Sequence, residues 1–257
     1  MHSYILRVTA LLAVFAAPAA CAQAVDRTQD LESFTTLELN GCFSAKLVPG
    51  RVDRVLISAT PEQQERIRVR QDGARVVIEP VETRNWDVCR GGPMRIEVTA
   101  SFAKDDAVEL RLRGSGDLDA EVPASAKLTA SIAGSGDLTL RGGGAACRIT
   151  VAGSGDAVAR SLECADSASV DVSGSGSVTL SGKSASCEYS VQGSGNVVAN
   201  EYSCNSAAID VSGSGSVDLA ASASLEVKIR GSGNVGYSGQ PALKDVQISG
   251  SGRLHQL

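Results

Sequence analysis

The sequence predicts an all-β fold, a β-helix solenoid of about eight rungs with a β cap at its amino end. Three observations predict it. Gly-Ser-Gly occurs eight times in the carboxyl-terminal part of the chain, starting at Gly114, Gly134, Gly153, Gly174, Gly193, Gly213, Gly231 and Gly250, at gaps of 20, 19, 21, 19, 20, 18 and 19 residues. Repeats of roughly 20 to 50 residues are the mark of stacked architectures. The flanks of the motif alternate: Leu128, Ala130, Ile132, Gly134, Gly136, Leu138 and Leu140 interleave with the mostly polar Thr129, Ser131, Ala133, Ser135, Asp137, Thr139 and Arg141. That is the period of a strand with one buried face. Aromatic residues make up only 4% of the chain, and the repeats hold just Tyr189, Tyr202 and Tyr237, so Val, Leu, Ile and Ala must fill a narrow core.

Residues 1–24 read as a secretory signal peptide. Arg7 lies in a short leading region, an apolar run follows from Val8 to Ala17, and small residues come next. The run is too short to span a bilayer. Two processing routes compete. Ala22-Gln23-Ala24 fits a small-x-small cleavage site that leaves Val25 as the new terminus, whereas Ala19-Ala20-Cys21 resembles the tail of a bacterial lipobox that would leave Cys21 lipidated. Pro18 stands where a lipobox usually has an aliphatic residue, which favours simple cleavage. Export to the periplasm or cell surface follows from either route.

Residues 25–107 lack the motif but still read as β, either a cap or irregular first coils continuous with the repeats. The strand candidates are Phe34–Leu39, Ser44–Val48, Arg54–Ser58, Ile67–Arg70, Arg75–Glu79 and Arg95–Thr99. Asp72-Gly73 is a hairpin signal between two of them. Thr60-Pro61 predicts one short helical turn, with Thr60 as N-cap and Pro61 as its first residue. A solenoid end left open exposes core and unpaired strand edges, so a cap is the plain role for this segment. Trp86, beside Cys89, is read as packing in that cap in preference to a sugar-stacking platform.

Residues 108–257 form the repeats. The register returns at Val108–Leu118, Ile149–Ala157, Val170–Leu180, Tyr189–Ala199, Ile209–Leu219, Val227–Val235 and Val246–Leu254. In each copy both glycines are expected on the inward face and the serine outside. At about 4.8 Å per stacked strand, eight rungs give a rod about 35–40 Å long. Stacking would align Ser115, Ser135, Ser154 and their counterparts into one column and Asp117, Asp137, Asp156, Ser177, Asn196, Ser216, Asn234 and Arg253 into another. Two readings of these ladders stand: solvated residues that tie rung to rung, or a hydrogen-bonding surface for a polymer such as a glycan. On the second, Ser115, Asp117, Ser135, Asp137, Ser154 and Asp156 form the ligand surface. The short carboxyl end finishes on the last rung with little cap of its own, which predicts end-to-end pairing of two copies there.

Of seven cysteines, Cys21 falls outside the fold under either processing route. The even number left in an exported chain predicts disulfides. Cys147/Cys164 and Cys187/Cys204 share a spacing of 17 and are offset by two rungs, so stacking brings each pair together at an edge of the coil. Cys42–Cys89 is the third pair expected. No metal site and no cofactor are predicted. Cys-x-x-Cys is absent, His255 is the one histidine left after processing, and the nine-residue calcium-binding repeat of repeat toxins does not occur.

The net charge is −5, and loss of residues 1–24 takes away Arg7 and no acid, making it −6. That argues against nucleic acid or anionic lipid as an electrostatic partner. Triad hydrolysis needs a positioned base, and His255 sits two residues from the end. The motif serines lie in flat strand positions, not on the strained elbow that exposes a hydrolase nucleophile. Gly-Ser-Gly-Asp is no phosphate loop, having no Lys-Ser/Thr after it. No catalytic residue is therefore assigned, and the chain reads as a non-enzymatic exported envelope protein, an adhesin or scaffold for a glycan or partner protein. The alternative is a polysaccharide-active enzyme using acids on one face, with Asp117, Asp137, Asp156 and Arg141 as its candidates.

The opening Phe34-Thr35-Thr36-Leu37-Glu38-Leu39-Asn40-Gly41, the three Gly-Ser-Gly-Asp copies from Gly114, Gly134 and Gly153, and Gly231-Ser232-Gly233-Asn234 with Tyr237 and Gly239 resemble the family known as the "putative auto-transporter adhesin, head GIN domain". The likeness covers most of residues 33–255. It implies a right-handed β-helix and an envelope or surface location, and it carries no catalytic residues with it.

Overall fold

The computed structural model describes residues 24–82 and 94–257. Cys21, Trp86 and Cys89 lie outside them. The chain is all-β: a solenoid of about eight turns in which almost every residue of each coil is in strand. Five consecutive long strands form the body: β9 (Leu118–Gly134), β10 (Leu138–Gly153), β11 (Ala157–Gly174), β12 (Ser177–Gly193) and β13 (Asn196–Gly213). Each starts just after one Gly-Ser-Gly, runs around the coil and ends on the first glycine of the next. All four neighbouring pairs are parallel and in register glycine to glycine, from Gly134↔Gly153 to Gly193↔Gly213. The stack continues through β14 (Ser216–Gly231), β15 (Asn234–Ser238), β16 (Ala242–Gly250) and β17 (Arg253–Gln256), again all parallel.

Each coil contributes two inward runs separated by a register shift, for example Leu138 and Leu140, then Cys147, Ile149 and Val151. The shifts mark the second bend of the coil, opposite Gly-Ser-Gly. The resulting core is one continuous cluster of small aliphatic residues from end to end. Tyr189 and Tyr202 are fully buried in it. Tyr202 donates its hydroxyl to the Lys183 carbonyl at 3.0 Å, and the Tyr189 hydroxyl lies 3.4 Å from Cys204 Sγ. Burial pushes both phenols up in pKa, so they stay protonated.

Both predicted repeat disulfides form, with Cα separations of 5.8 Å for Cys147–Cys164 and 6.0 Å for Cys187–Cys204. They sit at the second bend, join adjacent coils and face inward as core residues. Cys42 is disulfide-bonded, and Cys89, its expected partner, is outside the described residues.

The amino-terminal segment is both cap and first coil. β2 (Thr36–Gly41) and β3 (Ala45–Pro49) stack in parallel on β8 (Ala107–Gly114) and β9, with Gly41 paired to Gly114. Gly41-Cys42-Phe43 is thus a further corner of the solenoid, unmarked in sequence because Phe43 stands where the second glycine would be. β6 (Arg75–Pro80) and β7 (Arg95–Ala100) add a further parallel layer under β2 and β3. The chain then reverses. β5 (Ile67–Asp72) pairs antiparallel with β6 through the predicted Asp72-Gly73 hairpin, and β4 (Arg54–Ala59) pairs antiparallel with β7 and with β1 (Val25–Asp30). A helical turn, α1 (Pro61–Glu65), connects β4 to β5. Thr60 caps it as expected, and Gln63 completes a capping box.

The other end is open. Leu243, Val246 and Ile248 of β16 occupy inward strand positions yet are 48%, 40% and 44% exposed, because no further coil covers them.

Candidate functional site: the Gly-Ser-Gly edge

The corner is built by two glycines with different jobs. The first has a positive φ throughout, +140° in Gly134 and +122° in Gly174, a region closed to residues with a Cβ. Its carbonyl accepts two amides from the next coil: the Gly114 oxygen takes Ser135 N at 2.8 Å and Gly136 N at 3.2 Å, and the same fork recurs at every corner up to Gly231. The second glycine is buried in every copy up to Gly233, and a Cβ there would overlap the backbone below: at Gly136 it would lie 1.9 Å from the Gly116 oxygen. The expectation that both glycines face inward needs correction. Only the second is buried; the first turns the corner and stays half-exposed or exposed, because its carbonyl must reach the coil above.

The aspartate column has a structural duty. Asp117 Oδ1 accepts Asp137 N at 3.1 Å, Asp137 Oδ1 accepts Asp156 N at 2.9 Å, and Asp156 Oδ1 accepts Ser177 N at 2.8 Å. Asn196 Oδ1 does the same for Ser216 N at 3.1 Å. Above Ser177 and Ser216, whose short hydroxyls replace the carboxylate, the next amide turns instead to a glycine carbonyl, Gly176 or Gly215. The side-chain oxygens of Asp117, Asp137, Asp156 and Asn196 are therefore inter-coil latches, whereas above Asn234 the Arg253 amide bonds to the Gly233 carbonyl at 3.3 Å, as it does above the serines. Arg141, the basic candidate of the enzyme reading, is not brought to this column: it pairs with Asp119 at 2.6 Å. His255 is exposed on β17, opposite Gly236. Among the described residues no three His, Cys, Asp or Glu side chains gather as a metal site.

The serine column is free. Ser115, Ser135, Ser154, Ser175, Ser194, Ser214, Ser232 and Ser251 are all exposed. Their amides serve the fork, and none of their hydroxyls bonds to another described residue. The edge thus carries a straight file of unclaimed hydroxyls, one per coil, each able to donate and to accept.

At the amino-terminal foot of this file lies a charged cluster that sequence reasoning did not single out. Glu38, on β2 between β6 and β8, is only 2% exposed. Its carboxylate bonds to the Arg75 guanidinium and lies 3.8 Å from Arg111 and 3.6 Å from Arg113. Burial alone would push its pKa up. Hydrogen bonds from Arg75 and Asn40 and the charges of Arg113 and Arg75 outweigh that, so the carboxyl titrates below its ordinary value. The signal was present as Glu38 between Leu37 and Leu39, with arginines in the two strands that pair with it, but the pairing itself was not legible. Opposite the motif edge, the second bend carries a shallow groove of about 1040 Å³ lined mainly by small residues such as Ala145, Ser161, Ala165 and Ala185.

Fold and edge together define a class: a capped β-solenoid whose acidic side chains hold the coils together and whose exposed chemistry is a repeated hydroxyl column. The chain belongs to the family described as "Putative auto-transporter adhesin, head GIN domain", which matches residues 33–178 and 161–241. Comparison with curated proteins found no match. Among solved structures it is similar to a "putative lipid binding protein" from Parabacteroides distasonis, at 19% identity and TM-score 0.79 over 91% of this chain and 97% of that one. It is also similar to a "putative adhesin" from Parabacteroides merdae, at 15% identity and TM-score 0.78 over 91% and 96%. A "putative adhesin" from Parabacteroides distasonis matches at 16% identity and TM-score 0.75 over 92% and 98%. At such identities the likeness concerns the fold.

Proposed function

We propose that this chain is an exported, non-enzymatic envelope protein that uses its Gly-Ser-Gly edge to adhere to a glycan. The observation that carries this reading is the eight-coil file of exposed serine hydroxyls with no partner among the described residues. A polymer with its own repeat of hydroxyls can meet such a file at several coils at once, and linked weak contacts add up to useful avidity. The aspartates beside it, expected as part of the ligand surface, help indirectly by fixing the register of the coils. Their commitment to backbone amides also weakens the enzyme reading, which needed them as acid and base. Two buried disulfides support export, since such bonds persist in oxidising compartments. Residues 1–24 act as the leader in this account, with cleavage before Val25 favoured over a lipid on Cys21. The open carboxyl end pairs with the same end of a second copy, giving a closed two-fold dimer, because the capped amino end offers no equivalent edge. The test is retention on a panel of immobilised bacterial and plant polysaccharides, with the eluate analysed for released oligosaccharides. Retention without products is the expected result; released products would establish an enzyme instead.

A further inference from the structure

A hollow of about 510 Å³ opens at the foot of the serine file, beside Gly41 and Gly114, the corner glycines of the two lowest coils. Asn40, Arg68, Glu79 and Arg113 line it. Its volume falls in the range of small-molecule sites, roughly 300 to 1,000 Å³. We propose that it binds one acidic sugar, a hexuronate residue within a polysaccharide; this rests on the glycan reading above and names the kind of glycan.

The donors come first. Arg68, on β5, has no ion pair or hydrogen bond to any described residue, and Arg113 shares Glu38 with Arg75 and Arg111. Across β5, β6, β2 and β8 the outward charges are Arg68, Arg70, Arg75, Arg111 and Arg113 against Glu38, Asp72, Glu79 and Glu109. Glu109 is taken by Arg111 at 2.9 Å, and Glu79 lies 4.0 Å from Arg70. One positive charge is left over, which suits a monoanion such as a carboxylate better than a phosphate dianion. Guanidinium groups bind carboxylates through paired N–H donors.

The acceptors narrow the class further. Asn40 Oδ1 is buried and receives no hydrogen bond from the protein. Glu79 adds a second acceptor in the same hollow. A ligand that fits must therefore bring one carboxylate and, next to it, hydroxyl donors. A uronic acid ring has both, whereas a simple anion would meet Glu79 as a repulsive neighbour. From this foot the next group along the edge is the exposed hydroxyl of Ser115, so a chain anchored by its acid at the hollow continues onto the serine file.

The test is calorimetric titration of the purified protein with trigalacturonate, maltotriose and inorganic phosphate, for wild type, Arg68→Gln and Arg68→Lys. Arg68 has no ion pair or hydrogen bond to a described residue to lose, so the variants should melt with the wild type. Trigalacturonate is expected to bind wild type at least tenfold more tightly than maltotriose or phosphate, to weaken at least tenfold in Arg68→Gln, and to recover in part in Arg68→Lys. Absent binding, equal binding by Arg68→Gln, or phosphate matching trigalacturonate would each overturn the site. If trigalacturonate fails while the protein is still held by immobilised polysaccharide, this site is wrong and adhesion stands. A protein held by no polysaccharide removes the adhesion reading itself.

Discussion

A single carbonyl decides what residue each corner can hold. Because the first-glycine oxygen takes two amides from the coil above, the coils approach so closely that a Cβ has no room. At Gly134, φ is +140° and a Cβ would lie 2.1 Å from the Gly114 oxygen. At Gly73 in the β5–β6 hairpin, φ is +55° and a Cβ would meet nothing within 4 Å. We expect Gly134→Ala to cost about 3 kcal/mol or more, since strain and backbone overlap add. Gly73→Ala should cost only about 1 kcal/mol, the left-handed conformation being its sole penalty. Urea denaturation of the two variants separates them, and equal losses would show that the corner has slack. The glycine spacing was fully legible in the sequence, since eight copies repeat it. What each glycine does was not, because alternation assigns a residue to a face but does not say where a carbonyl must be shared.

Among the elements, β2 shows how far pattern reading goes. Its strand character and Gly41 were visible, yet Phe43 hid the corner, and what buries Glu38 on the outward face lay in β6 and β8. β1 was missed altogether, since Val25–Asp30 is exposed and polar and is held by pairing with β4 and by Arg27, whose guanidinium donates to the Gln64 and Ile67 carbonyls. The disulfides were readable because the cysteine spacing tracks the repeat. The aspartate latch was legible in part: rung-to-rung ties were one of the two readings of the column, but not that each tie runs from a carboxylate to a backbone amide, because a bound carboxylate and a free one are identical in sequence. Glu38 gives a prediction at this scale. Its folded pKa is lowered, so its contribution is present above the unfolded carboxyl value, about pH 4.5, and is lost as the pH falls through the folded value. Glu38→Gln should lower stability at neutral pH by about 1–3 kcal/mol, because three guanidinium groups lose their shared acceptor, partly screened by solvent. Below pH 4.5 its stability should fall less steeply than that of wild type. Parallel curves in urea titrations between pH 3 and 7 would contradict the role assigned to the cluster.

Taken as a whole, the molecule is a rod with one sealed end, one open end and two unlike edges. The second edge is pinned by disulfides and shifts register from coil to coil, while the motif edge keeps its register throughout. Leu243, Val246 and Ile248 at the open end predict a concentration-dependent dimer in light scattering, abolished by Val246→Lys/Ile248→Lys; an unchanged monomer in wild type would refute the end-to-end pairing. Adhesion through the motif edge is the central claim. Its most direct test compares retention of wild type and Ser154→Ala/Ser175→Ala/Ser194→Ala on the immobilised polysaccharides. These hydroxyls make no bonds within the fold, so the triple variant should melt with the wild type. The account predicts that it elutes early and that neither protein releases oligosaccharides. Undiminished retention of a folded triple variant would contradict it.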